Sequence, residues 1–570
     1  MCIVVATYPA HLGHNSSRYS ARFHIEALTT AMAPKTVWGY FFIDYIPEPL
    51  QVSDKQRVVE LKGEVARLFE DCNCKDVVER MNLVDVVQRL GIDHHFKEQI
   101  DTALKNIQGA EFNSSDLHEV SLRFRLLRQH GLWVPADQFD KFRRQEDGSF
   151  SSDIADDPKG LLGLYNAASL LIHGEEVLEE ALLFARRHLE SIRRGGGLHD
   201  SPYLSEQVGR SLKIPLPRTL KRLEAVSYIP EYSSADDTTY IHPEILELAR
   251  LDFNLLQHVH QNELRTVTQW WKGLCDVIGP DYGRDRIVEC YFWAFSMYYE
   301  EEHARARMIL ARLIMLASLL DDTFDDRATL QECRELNKAI ERWDESDDIS
   351  LLPECIQKFF LEVIRNFAEF EDELEAHEKY RVAYARKAYQ LLSKSYLQEV
   401  EWCHQGYTPS FDDHVSVSTA SAGIQVLCVG MLVGMGDAAT KEVFEWMIGS
   451  NNRVVRACAE VTRFMDDMAD FKRGKNKTDV ATTVECYMKE QNVTGEVAFD
   501  KIGSFVEDAW KTLNQAALVG DRALLPVVQR VAGLAMSMMV FFHGKIDRYT
   551  DSEHLKETLE DLFVNHVPLC

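Results

Sequence analysis

The chain has 570 residues, 46% of them hydrophobic and 10% aromatic, which allows large cores and exceeds one ordinary domain. Its 63 basic and 90 acidic residues give a formal net charge of -27, which opposes non-specific binding to nucleic acid or an anionic membrane, so an anionic substrate would need locally placed cations. The twelve cysteines are scattered and the one close pair, Cys72 and Cys74, lacks CxxC spacing, which argues against a zinc site and for a reduced, intracellular protein.

In chain order, the first 25 residues carry Arg18 and Arg22 and no acidic residue, a composition shared by transit peptides and by unstructured termini. The stretch "LLGLYNAASLLIHGEEVLEEALLFARRHL" has helical periodicity, with His173 and Gly174 as the break between two helices. Pro202, Pro215, Pro217, Pro230 and Pro243 then crowd one segment, together with "RRGGG" at 193–197, and place the connection between two halves within about 195–245. Beyond it Leu251, Leu255, Val259, Leu264 and Val267 recur at helical intervals. No NG or DG hairpin is flanked by alternating residues, and no unbroken apolar run reaches the eighteen or so residues of a membrane span; Ala535–Phe542 is short. The expectation is a soluble, all-α protein: a leader over 1–30, one helical domain over 31–240 and a second over 241–570.

The second half carries the chemistry. "YGRDRIVECYFWAFSMYY" supplies Arg284 and Arg286, suited to phosphate oxygens, and then Tyr291, Phe292, Trp293, Phe295, Tyr298 and Tyr299, whose faces can stabilise a cation. Phe292 and Tyr299 are expected in the core. Next an apolar run over 313–320, broken only by Ser318, meets Asp321, Asp322, Asp325 and Asp326. On an α-helix Asp321 and Asp325 lie one turn apart and can aim at one point with Asp322 close by, a set of hard oxygens suited to Mg²⁺. A solvated helix end would explain one such cluster. Asp466, Asp467 and Asp470 repeat the spacing behind another apolar helix, as the opposite wall of one metal site would.

These parts resemble the plant terpene synthase family over nearly the whole chain. "VDVVQRLGIDHHF", "LRFRLLRQHGLWV" and "DPKGLLGLYNAASL" resemble its N-terminal domain; the RxR at Arg284 and Arg286, "VECYFWA" and "LLDDTFDD" follow in the family's order. The resemblance implies a class I cyclase, with a C-terminal helical barrel holding three Mg²⁺ ions, for which Mn²⁺ can substitute, and a catalytically inert, α-barrel-like N-terminal domain. It further implies metal ligation by Asp321, Asp322 and Asp325 and by the motif Asp466, Asp467 and Asp470. Diphosphate contacts would come from Arg284, Arg286, Arg463 and Lys475, the floor of a carbocation pocket from Trp293, and a capping loop from Asp547 and Tyr549.

Departures from the family pattern are informative. Where the second motif commonly has Ser or Thr and then Glu, this chain has Asp470 and Gly474, so Asp470 is expected to take over, with Asp479 or Glu485 as alternatives. Phe542 replaces a frequent tyrosine, and Gly423 stands in the helix-break segment. No DxDD motif occurs, so proton-initiated cyclisation is not expected. The tandem-arginine pattern of plastid monoterpene synthases is absent before Trp38, which favours cytoplasmic farnesyl diphosphate as substrate of a monomeric sesquiterpene synthase. The rivals are a monoterpene synthase using geranyl diphosphate, a chain-elongating prenyltransferase, and an inactive helical binding protein.

Overall fold

Helices of the first half each bury one stripe. In Val52–Cys72 the buried positions are Val58, Leu61, Val65, Phe69 and Cys72, spaced by three or four residues as one helical face requires. Each such side chain contributes about 1.5–3 kcal/mol by leaving water. The protein is represented by a computed structural model, which describes residues 36–47, 51–72, 76–198, 201–234, 242–344, 347–474 and 481–569. Among these the fold is helical, and the β pairing is limited to one isolated bridge between Arg143 and Phe150.

Two hydrophobic cores organise the chain. The first runs from Val58 to Phe253; the second is built mainly from residues beyond Leu256, with Trp38, Phe42 and Leu220 packed into it. The segment around Trp38 thus crosses over to the second core although it opens the first half. Residues 1–30 lie outside the described residues.

The proline-rich stretch taken as a connection is itself structured. Pro202–Lys213 and Lys221–Ser233 are helices whose Val208, Ala225, Ile229 and Tyr232 are buried in the first core. Pro202 and Pro243 occupy first-turn positions, where the missing N–H is not needed, and Pro215 lies between helices. Pro217 sits in the short 3-10 helix Leu216–Arg218, and Pro230 lies in the interior of an α-helix, near its end. The His173–Gly174 break falls, as expected, between Pro158–Ala168 and Glu176–Arg194.

The 36-residue helix Pro243–Ile278 spans both cores. Its polar face holds the C-terminal segment: Gln257 donates to the carbonyls of Leu562 and Asn565, Gln261 to Phe563 and Asn254 to Val567. Across the halves, Arg218 makes a two-pronged pair with Glu507 at 2.9 and 2.7 Å while lying over Trp510.

Among the described residues two stretches, 411–433 and 522–545, have the length and composition of membrane spans although polar residues interrupt their apolar runs. The first breaks at Gly423, with φ +74°, into Phe411–Ser421 and Ile424–Val433 and is mostly packed inside the second core, while the second is half buried there.

Candidate metal and diphosphate site

The helix Ala304–Asp322 buries residues on nearly every face through Leu319 and Leu320, then delivers Asp321 and Asp322 at its end. The chain does not continue as an α-helix. Thr323–Arg327 forms a π-turn, closed by the bond from Ala328 N to Thr323 O at 2.9 Å, and this turn carries Asp325. The one-turn α-helical relation expected of Asp321 and Asp325 is therefore replaced by a wider turn. Thr323 anchors it, donating to Leu319 O at 2.6 Å and meeting the Tyr282 hydroxyl at 2.9 Å.

Arg284 lies across this end. Its backbone N donates to Asp322 Oδ2 at 2.7 Å, its Nη2 to Asp321 Oδ2 at 2.7 Å, and its Nε stands 2.6 Å from Asp322 Oδ1. Gly283 permits the approach: a Cβ there would sit 2.6 Å from Leu319 Cδ2 and 2.7 Å from Asp322 Oδ2. Burial works against the Arg284 cation, but Asp322 and Asp321 outweigh it and hold the guanidinium well above its usual pKa. Burial likewise pushes the Asp322 carboxyl up, against the pull of Arg284. Asp325 opens to solvent on one side; the protein around it, together with Asp321 and Glu399, raises its pKa well above the usual range.

Glu399 was not singled out from the sequence. It accepts from Ser421 Oγ at 2.8 Å, and burial raises its pKa while Arg463 pulls it down. Its field reaches Asp325 on one side and Arg463 on the other, so it stands between the two aspartate walls.

The second wall rises from the helix Arg453–Arg473. Arg463 Nη1 pairs with Asp466 Oδ2 at 3.0 Å, and its Nε donates to Ser418 O at 3.1 Å. Asp466, Asp470 and Asp547 bring carboxylate oxygens within 4.8 Å of one another. Burial, then Asp470 and Asp547, push the Asp466 pKa well above its ordinary value. Asp467 leaves one oxygen 3.5 Å from Arg463 Nη1 and turns the other away from this group. It is buried, accepts from Thr483 N at 2.5 Å and from the Thr483 hydroxyl, and faces His414 Nε2 at 3.2 Å. Burial opposes its charge, but the His414 bond, Arg463 and Thr483 outweigh it and hold the pKa below the carboxylate range.

Gly474 caps this helix in the left-handed region at φ +76°. Glu485 is committed elsewhere, accepting from Thr482 N at 2.7 Å in a capping box. Lys475 and Asp479 lie outside the described residues.

Of the aromatic run, Tyr291, Phe292, Phe295, Tyr298 and Tyr299 are all core residues, more than the two expected, because the helix Ile287–Met297 is buried on almost every side. Trp293 alone is half-exposed, with its ring 4.4 Å from Phe541 and 4.6 Å from Tyr549. Tyr549 donates to Ser318 Oγ at 2.7 Å, and Arg284 lies 5.5 Å over its ring. Arg286 is not brought to the carboxylates. It is buried and donates to Tyr549 O at 2.7 Å, Thr550 O at 2.8 Å and Asp285 O at 2.9 Å. The loop carrying Asp547 and Tyr549 thus touches both walls and the aromatic group.

The donor set, carboxylate oxygens from two helix ends flanked by guanidinium groups, fits hard divalent ions that share their shell with phosphate oxygens and water. A cavity of about 740 Å³ elsewhere, lined by Arg89, Arg125, Arg210 and Tyr228, contains none of these aspartates. His94, His95 and Asp252 also converge, but Arg222 at 3.0 Å already neutralises Asp252.

The chain is similar to known proteins over most of its length. Residues 37–212 match the model of the terpene synthase N-terminal domain and residues 275–512 that of the terpene synthase family metal binding domain. The chain is 61% identical over 540 residues to tau-cadinol synthase of Zea mays, covering 94% of this chain and 97% of that one. It is 44% identical to a eudesmanediol synthase of Zea mays over 93% and 95% of the two chains. Isoprene synthase from grey poplar (Populus x canescens), solved with three Mg²⁺ ions and dimethylallyl-S-thiolodiphosphate, superposes with a TM-score of 0.82 at 28% identity, over 94% of this chain and 99% of that one.

Proposed function

Because the chain belongs to the terpene synthase family, we propose that it is a sesquiterpene synthase: it ionises farnesyl diphosphate and cyclises the resulting carbocation. The observation that carries this reading is the meeting of two aspartate walls, their arginines and one partly buried tryptophan around a single loop. Sesquiterpene synthases among the relatives support the fifteen-carbon substrate.

In this reading Asp321 and Asp325 on one wall, and Asp466 and Asp470 on the other, hold Mg²⁺, with Asp322 supporting the first pair through Arg284. Three ions are proposed, and Mn²⁺ can replace them. When bound, they supply Lewis acidity that neutralises the departing diphosphate. Arg284 and Arg463 transfer part of their hydrogen bonding from carboxylates to diphosphate oxygens, positive charge set where negative charge develops. The C–O bond breaks with its electron pair leaving on diphosphate. Trp293, backed by Phe541 and Tyr549, presents ring faces to the allylic cation and keeps water from it until a proton is lost or water adds. Arg286 works as a positioning residue, holding the loop by its backbone, and Asp467 does the same for the segment at Thr483. The working unit is the monomer, since both walls come from one chain, and the substrate pool is cytoplasmic.

Incubating the protein with farnesyl or geranyl diphosphate and Mg²⁺, with products identified by mass spectrometry, tests the proposal. A fifteen-carbon cyclic product is expected, and full turnover in excess chelator would refute it. Preferential turnover of geranyl diphosphate would make it a monoterpene synthase, a longer diphosphate would mark a prenyltransferase, and no product an inactive binder. A tagged full-length chain accumulating in plastids would overturn the cytoplasmic assignment.

A further inference from the structure

Resting on that reading, we propose that Asp547 is the third carboxylate of the second metal site. It replaces the glutamate this chain lacks at Gly474, so that ion binding and loop closure become one event.

The helix offers two ligands and no more. Asp466 and Asp470 stand one turn apart on the helix Arg453–Arg473, but at Gly474 the chain turns left-handed with φ +76° and leaves the helical path. A side chain there would not lie on the face of Asp466 and Asp470. Glu485 is held by Thr482. The oxygen that does arrive comes from another element: Asp547 follows a turn in which Gly544 and Lys545 have φ of 70° and 64°, and its carboxylate lies with those of Asp466 and Asp470 within 4.8 Å.

The two oxygens of Asp547 have separate work. Oδ1 accepts from Tyr549 N at 3.0 Å and Thr550 N at 2.9 Å, which fixes the turn. Oδ2 faces the helix, 3.9 Å from Arg473 Nη1, and Nη2 of the same guanidinium donates to Asp470 Oδ1 at 2.7 Å. A cation therefore already bridges Asp470 and Asp547. It comes from a half-exposed side chain that can swing into water when a divalent ion takes its place. Three single-oxygen ligands leave an octahedral ion room for diphosphate oxygens and water.

The consequence concerns the loop. The stretch that supplies Oδ2 also sets Tyr549 against Trp293 and offers its carbonyls to Arg286. Filling the site would therefore hold the loop in the position where Tyr549 meets Trp293.

The test uses the full chain, Mn²⁺ and inorganic diphosphate, with bound Mn²⁺ counted by electron paramagnetic resonance. Trypsin cleavage after Lys545 and Arg548, the residues flanking the ligand, reports loop closure. Asp547→Asn keeps an oxygen for Tyr549 N and Thr550 N but removes the carboxylate charge. We expect it to bind one Mn²⁺ at least about tenfold more weakly, a change of ~1.4 kcal/mol, and to lose the protection that Mn²⁺ with diphosphate gives the wild type. Asp547→Glu, which retains the charge, should recover part of both, and Arg473→Met should be protected at lower Mn²⁺. Wild-type Mn²⁺ affinity and protection in Asp547→Asn would overturn the proposal while leaving the aspartate walls in place. A wild-type chain that binds no Mn²⁺ with diphosphate would instead bring down the site reading as well.

Discussion

The two aspartate motifs share one spacing and have different geometries. At Asp321 the helix widens into a π-turn, Asp322 stays in the site, and one arginine spans Asp321 and Asp322. At Asp466 the helix remains regular to its glycine cap; Arg463 again spans the first two aspartates, at 3.0 and 3.5 Å, but the middle one, Asp467, commits its second oxygen to a buried network with His414 and Thr483. Equal spacing therefore does not mean equal ligation. Each middle residue has an arginine beside it, and what sets Asp467 apart is the helix start at Thr483, which claims its second oxygen.

The largest effect expected from this comparison is on chemistry. Asp321→Ala should lower turnover by about a thousandfold, roughly 4 kcal/mol, since a ligand of the leaving-group metal is lost. Steady-state product formation at saturating Mg²⁺ measures it, and a loss below tenfold would remove Asp321 from the metal site. Asp467→Asn should act on stability: about 3 kcal/mol, seen as a lower unfolding midpoint, because buried charge-assisted bonds to Thr483 and His414 are weakened. Its Mg²⁺ dependence should stay near wild type. If the Mg²⁺ dependence shifts as strongly as in Asp470→Ala, the two motifs are alike after all.

Smaller effects sharpen the picture. Trp293→Leu should be slower than Trp293→Phe by about tenfold, ~1.4 kcal/mol, because only the latter keeps a ring face for the cation. Matching rates and product profiles would remove that role. Glu485→Ala should cost about 1 kcal/mol of stability through its helix cap and leave the Mg²⁺ requirement unchanged. A raised Mg²⁺ requirement would return Glu485 to the list of ligands.

Helices, the two halves and both motifs could be read from the sequence, because apolar periodicity and residue spacing are local signals. The orientation of Asp467 could not: its partners, Thr483 and His414, are remote in sequence and declare themselves only by packing. Glu399 lies mid-helix with Glu401 two residues on, and nothing local separates the one facing the aspartates from the one paired with Arg334. The aromatic run suggests more site-facing rings than the fold provides, since one helix cannot present adjacent residues to one side and, of the run, Trp293 alone is not fully buried. The π-turn was hidden because TFDDR has no glycine or proline to announce it.

One contact bears on how such a chain can change over generations. Arg286 grips Tyr549 and Thr550 through their carbonyl oxygens, which every amino acid supplies. The hold on the loop is thus indifferent to the side chains it carries. A lineage can exchange those side chains and explore new products while the anchor that delivers them stays fixed, so catalytic diversification and loop attachment are inherited separately.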